Sequence, residues 1–175
     1  MFAVNRWDRL LLAGVAALVV SLSALLYARF LTQPRQLWTN STHDRNAHYL
    51  TALTMAEAVR HGRPYVLLRE VNGARVWGPL HGLLAAAVLA VGGFDYRLAV
   101  LPSLAGWVAT ALFAFLAARR AAPRYGNLAG LAALLLVLAG PAHRGYATDI
   151  MLESLGACLS LAVLYFYLVT VQEEK

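Results

Sequence analysis

Two short clusters hold most of the side chains that could do chemistry. The first is His43-Asp44-Arg45-Asn46-Ala47-His48-Tyr49, and the second is His143-Arg144-Gly145-Tyr146-Ala147-Thr148-Asp149, followed by Glu153. A carboxylate on each side of a cleft can deprotonate an acceptor hydroxyl, and arginines beside it can hold a phosphate leaving group. Simpler roles compete with this one. Asp44 can cap a helix, and Asp149 and Glu153, one turn apart, can start one, where carboxylates suit the helix dipole. His43, His48 and His61 do not make a tight metal site with Asp44, because their spacing does not put three ligands on one helical turn and no cysteine assists. Cys158 is the only cysteine, so no disulfide forms within the chain, and its apolar neighbours favour a packing role.

The elements that must position these clusters follow from composition. Of 175 residues, 60% are hydrophobic and only 14% charged, too apolar for a soluble domain with one core. Residues 10–26, 98–118 and 128–140 are apolar on every helical face, which requires apolar solvent on every side. The expected fold is all-α, a polytopic membrane helical bundle forming a single module over residues 1–175. Its spans are expected at about 10–30, 98–118, 127–142 and 150–171, with an outer loop over 31–97. The first span reads as a retained anchor. Its apolar run of roughly 20 residues exceeds a signal core, and it ends in Tyr27-Ala28-Arg29 without a small-x-small cleavage site. Residues 79–92 give only about 21 Å of helix against ~30 Å of hydrocarbon, so they read as an interfacial or re-entrant helix.

Charge sets the orientation. Fourteen arginines and one lysine oppose nine acids, a formal +6. The arginines flank apolar segments or sit in one loop, which fits topology and lipid phosphate; nucleic acid is not an expected partner. The hinge with Arg119, Arg120 and Arg124 has no acid and is expected in the cytoplasm, as is the N-terminus with Arg6 and Arg9. Both hold only if one span returns between residues 31 and 118, so residues 79–92 are expected on the outer surface. Both clusters then face outward.

Within the outer loop, residues 44–61 read as an amphipathic helix capped by Thr42 or Asp44 and stopped by Gly62. Asn72-Gly73 predicts a tight turn between short strands at 65–70 and 74–77. Trp38, Trp77, Tyr96 and Tyr146 are expected in an interfacial belt, with stacking of Trp77 on a sugar as the sharper alternative.

The order of the pieces is specific. An acidic residue and an aromatic follow the first span, and an amphipathic helix ends in Gly62. Then come Trp77-Gly78-Pro79-Leu80-His81 opening an apolar helix, Tyr96-Arg97-Leu98-Ala99-Val100-Leu101-Pro102, the hinge Ala118-Arg119-Arg120, and Arg144-Gly145-Tyr146-Ala147-Thr148-Asp149-Ile150-Met151. This order resembles the N-terminal half of GT-C glycosyltransferases, the polyprenyl-phosphate-sugar enzymes that include protein mannosyltransferases and aminoarabinose transferases. The resemblance implies Asp44 and Asp149 as catalytic carboxylates and Arg144 facing phosphate, with His48, Tyr49, Trp77 and His81 lining the cleft. It names no metal ligand; a loosely bound divalent cation near the two carboxylates is the one cofactor it leaves open.

The implied function is sugar transfer from a polyprenyl-phosphate carrier to an acceptor on the outer face of a bacterial inner membrane. The partners are then membrane lipid, the polyprenyl-phosphate sugar and a partner chain supplying further spans. The sequence departs from the pattern at Arg45, where many members carry Glu, and at Gly78, where the first proline of a pair is usual. Family members have many more spans, so the chain is expected to be an N-terminal module, a fragment or part of a split enzyme. The alternative is a non-catalytic membrane scaffold or lipid-binding partner.

Overall fold

The computed structural model describes residues 6–32, 43–74 and 78–173, and every regular element among them is helical. The long helices are α1 (Arg6–Thr32), α6 (Leu101–Ala121) and α9 (Glu153–Glu173). Between α1 and α6 lie α2 (His43–Arg60), α3 (Pro64–Gly73), α4 (Leu80–Gly92) and the single turn α5 (Tyr96–Ala99); α7 (Gly126–Ala139) and α8 (Pro141–Ala147) join α6 to α9. Three helices, α1, the continuous α5–α6 stretch and α9, are long and apolar enough to cross a bilayer, the mark of a membrane protein. The bent α7–α8 pair makes four if it is one span.

The hydrogen-bonding pairs show how these helices run. Near one end of the bundle Arg119 donates to Asp8 at 2.6 Å, and Gln172 donates to the Arg120 carbonyl at 3.0 Å. Near the other, the Tyr27 hydroxyl donates to the Arg97 carbonyl at 3.1 Å, and the Ser103 hydroxyl to the Met151 carbonyl at 2.9 Å. Helix α1 is therefore antiparallel to α6, and α9 runs parallel to it. Small residues let them approach closely. A Cβ on Gly106 would stand 3.0 Å from the Leu155 nitrogen, and one on Gly130 would meet the Phe115 ring at 2.9 Å.

Two apolar clusters result. One fills the bundle around Val19, Trp107, Phe115 and Leu134. The other, around Met55, Ala85, Leu89 and Val100, binds α2, α4 and α5 together and is tied to the long helices by Phe30 and Ile150.

Helix α2 matches its expected bounds closely and ends as its sequence dictates. Gly62 takes φ +61, the Arg63 amide donates to the Ala58 carbonyl at 2.8 Å, and the Gly62 amide donates to Val59 at 3.2 Å. These two bonds and the left-handed glycine form a Schellman stop. Pro64 then opens α3 at a position where its missing N–H costs nothing.

The strands expected at 65–70 and 74–77 are corrected at this point. Residues 65–70 are helical, because Leu67 and Val71, four apart, share the face that packs on the α2–α4 cluster. Asn72-Gly73 ends that helix rather than turning a hairpin; residues 75–77 lie outside the described residues. A second correction concerns the span expected at 127–142. It stops at Gly140, whose backbone is extended ahead of Pro141, and resumes as α8 after a 66° bend. The last span starts at Glu153, not near 150. Helix α4, at 13 residues, is about 20 Å long, short of the hydrocarbon thickness.

Candidate functional site

The α8–α9 link and the first turns of α2 meet beside the C-terminal end of α1, and this junction brings the two sequence clusters together. Asp149 is in the link. Arg45, in the first turn of α2, donates from Nε to Asp149 Oδ1 and from Nη2 to Oδ2 at 2.6 Å. The Ile150 amide adds a bond to Oδ1 at 2.8 Å. With three donors on one carboxylate and side chains 17% and 15% exposed, the pair is substantially withdrawn from water.

A cleft of about 600 Å³ opens against this pair. Its charged lining is Arg29, Arg45, Arg144 and Asp149, three cations against one anion, and its apolar wall includes Leu26, Phe30 and Pro141. Arg29 is in the last turn of α1 and Arg144 in the last turn of α8. Both are exposed, and neither is in an ion pair among the described residues. Two uncommitted guanidinium groups beside an apolar wall suit a phosphate carried on a lipid.

Asp44 lies within the first turn of α2, where its charge favours the helix dipole, and is exposed at the side of this junction. One turn on, His48 is buried. Burial pushes its imidazole below the ordinary value, opposed by the charges of Glu153, Asp44 and Asp149. Tyr49 is partly buried; burial, then the charge of Asp95, pushes its phenol above the usual value, and its hydroxyl lies 3.5 Å from the Phe94 carbonyl.

His81, expected in the cleft wall, is not among the residues lining the 600 Å³ cleft. It is 1% exposed, with Nε2 3.0 Å from the Ser103 hydroxyl and its ring 5.8 Å from that of His48. It opens α4 on the face turned toward α2 and α6, so its polar partner is a buried hydroxyl. Trp77, Trp38 and Thr42 lie outside the described residues.

The structure thus gathers Asp44, His48, Asp149 and Arg144 at one junction and sets His81 behind it. Sequence reasoning missed Arg29, Ser103 and the positive role of Arg45. Arg29 was legible as a basic residue ending a span, and Arg45 as one lying beside a carboxylate. Ser103 gave no signal, being one hydroxyl in an apolar run. Metal binding fits poorly at Asp149, since both its oxygens already accept from Arg45. Among the described residues no three His, Cys, Asp or Glu side chains are grouped to hold an ion. No protein-family model matches the sequence, and neither the comparison with curated proteins nor that with solved structures gave a match.

Proposed function

We propose that this chain is the carrier-binding module of a membrane glycosyltransferase that moves a sugar from a polyprenyl phosphate to an acceptor outside the cytoplasm. The observation that carries the reading is the cleft with Arg29 and Arg144 uncommitted beside an apolar wall, at the junction that also bears Asp44. The resemblance of the sequence to GT-C enzymes supports it. The carrier phosphate sits against the arginines with its chain along α1. The acceptor hydroxyl attacks the anomeric carbon as the bond from that carbon to the phosphate oxygen breaks. The polyprenyl phosphate leaves with the bonding pair, the acceptor proton passes to the Asp44 carboxylate, and the anomeric centre inverts. Asp149 serves here by holding Arg45 and not as a second base.

In this reading α2 and α4 lie along the outer surface of a bacterial inner membrane. The termini and the arginine hinge face the cytoplasm, and a partner chain adds the spans that enclose the lipid. A second reading, a lipid-binding scaffold without turnover, is favoured by one observation: Arg45 neutralises one of the two carboxylates.

Asp44→Asn in native membranes separates the readings. Sugar transfer falls by about 10²- to 10⁴-fold if Asp44 is the base, with insertion unchanged. Transfer at the parent rate removes Asp44 from the reaction, and carrier binding without turnover in the parent establishes the scaffold.

A further inference from the structure

Behind the cleft runs a buried chain of polar contacts that neither the carrier site nor the fold expectations account for. The Met151 carbonyl, two residues past Asp149, accepts from Ser103 Oγ at 2.9 Å. A hydroxyl has one proton, so with that proton on Met151 the same oxygen must accept from His81, whose Nε2 lies 3.0 Å away. This fixes His81 as the Nε2–H tautomer. Its Nδ1 is buried and has no hydrogen-bond partner. Ser103 is fully buried and His81 nearly so. The chain therefore starts at α4, crosses α6 and ends on the link that carries Asp149.

At its start the link is held by long hydrogen bonds, and at its end Leu152 accepts from the Gly156 amide at 2.8 Å. Thr148 and Asp149 amides donate to Gly145 and Tyr146 at 3.4 Å each, long contacts at the frayed end of α8. The anchors on its far side are the Ser103 bond, the burial of Ile150 in the α2–α4 cluster, and the start of α9. The position of the Asp149 carboxylate, and with it the direction in which Arg45 points, depends on these anchors.

We propose that His81 is a positioning residue which, through Ser103, holds the α8–α9 link so that Asp149 presents Arg45 to the cleft. Burial, then the neighbouring His48, lowers the His81 pKa to about 4, so the imidazole stays neutral and keeps this donor arrangement across the physiological range. Protonation would put a second N–H on the buried Nδ1 side, where no acceptor meets it.

The positioning itself is read without any ligand. The Ile150 amide donates to Asp149 Oδ1, so its hydrogen exchange reports whether the carboxylate is in place. In the full chain in lipid nanodiscs, His81→Leu and Ser103→Ala should each speed exchange at Ile150 about three- to tenfold, the loss of one hydrogen bond. Exchange at Leu134, in the other apolar cluster, should not change. His81→Gln, whose amide can still donate to Ser103, should stay within about twofold of the parent.

The consequence for the cleft rests on the carrier-binding reading. There His81→Leu weakens undecaprenyl phosphate binding as Asp149→Asn does, and the two together are no worse than either alone. Unchanged exchange at Ile150 in both His81→Leu and Ser103→Ala, equal loss of protection at Leu134, or a His81→Gln variant no better than His81→Leu would overturn the proposal. A parent that binds no undecaprenyl phosphate overturns the carrier reading alone, because the exchange result decides the positioning role by itself.

Discussion

Arg45 and Asp149, 104 positions apart, are joined by two parallel N–H···O bonds that lock the first turn of α2 to the link before α9. Helix α2, with α4 packed against it, and the long bundle helices meet at this pair. A wholly exposed ion pair contributes up to about 1 kcal/mol, and breaking a fully buried one costs about 3–5 kcal/mol. At 17% and 15% exposure this pair falls between those limits.

Arg45→Ala and Asp149→Ala should therefore each destabilise the protein by about 2 kcal/mol. The double variant should lose little more than either single one, since each leaves the other charge stranded. Unfolding in mixed micelles, compared across the four proteins of the cycle, measures this coupling. Additive losses would mean that the pair contributes nothing as a pair.

Stability should also depend on pH through His81. Its pKa is about 4 in the folded protein against an ordinary 6.5, so above pH 6.5 both states are neutral and no dependence arises. Between 6.5 and about 4 the unfolded chain takes up a proton that the folded one refuses. Stability thus falls with falling pH, by up to roughly 3 kcal/mol in all. His48, also lowered, acts in the same direction. Unfolding measured from pH 7.5 to 4.5 should show this slope in the parent and a shallower one in His81→Gln.

Helix packing gives a prediction independent of the site. Gly130→Ala would bring a Cβ within 2.9 Å of both the ring and the carbonyl oxygen of Phe115, and Gly106→Ala one within 3.0 Å of the α9 backbone. Each should cost about 1–3 kcal/mol through forced separation of the helices. Gly14→Ala meets nothing within 4 Å and should be neutral or slightly stabilising. Equal effects at the three positions in a micelle unfolding series would contradict the close approaches.

The sequence made some of this legible and hid the rest for physical reasons. Long apolar runs and the stop at Gly62 are local signals, so α1, α6, α9 and α2 were readable nearly to their ends. The failure at residues 65–70 came from reading Asn72-Gly73 as a hairpin turn, when Leu67 and Val71 already had helical spacing against a partner surface. Pro141 was visible, but how far the chain bends there depends on what α8 packs against. At the site, the carboxylates were found by type. Their partners were not, because Arg45–Asp149 and His81–Ser103 are contacts between distant segments, which local pattern does not encode. His81 was expected in the cleft wall, since a histidine two residues past Pro79 gives no sign of which way it faces.

The most direct test of the account compares undecaprenyl phosphate with undecaprenol, the same chain without phosphate, for binding to the protein in nanodiscs. The cleft should favour the phosphate by about tenfold or more, the strength of charge-assisted hydrogen bonds from arginine. The preference should fall in Arg144→Gln and vanish in the Arg29→Gln, Arg144→Gln double variant. Equal binding of the two lipids by the parent, or a phosphate preference that survives in the double variant, would contradict the arginine cleft as the carrier site.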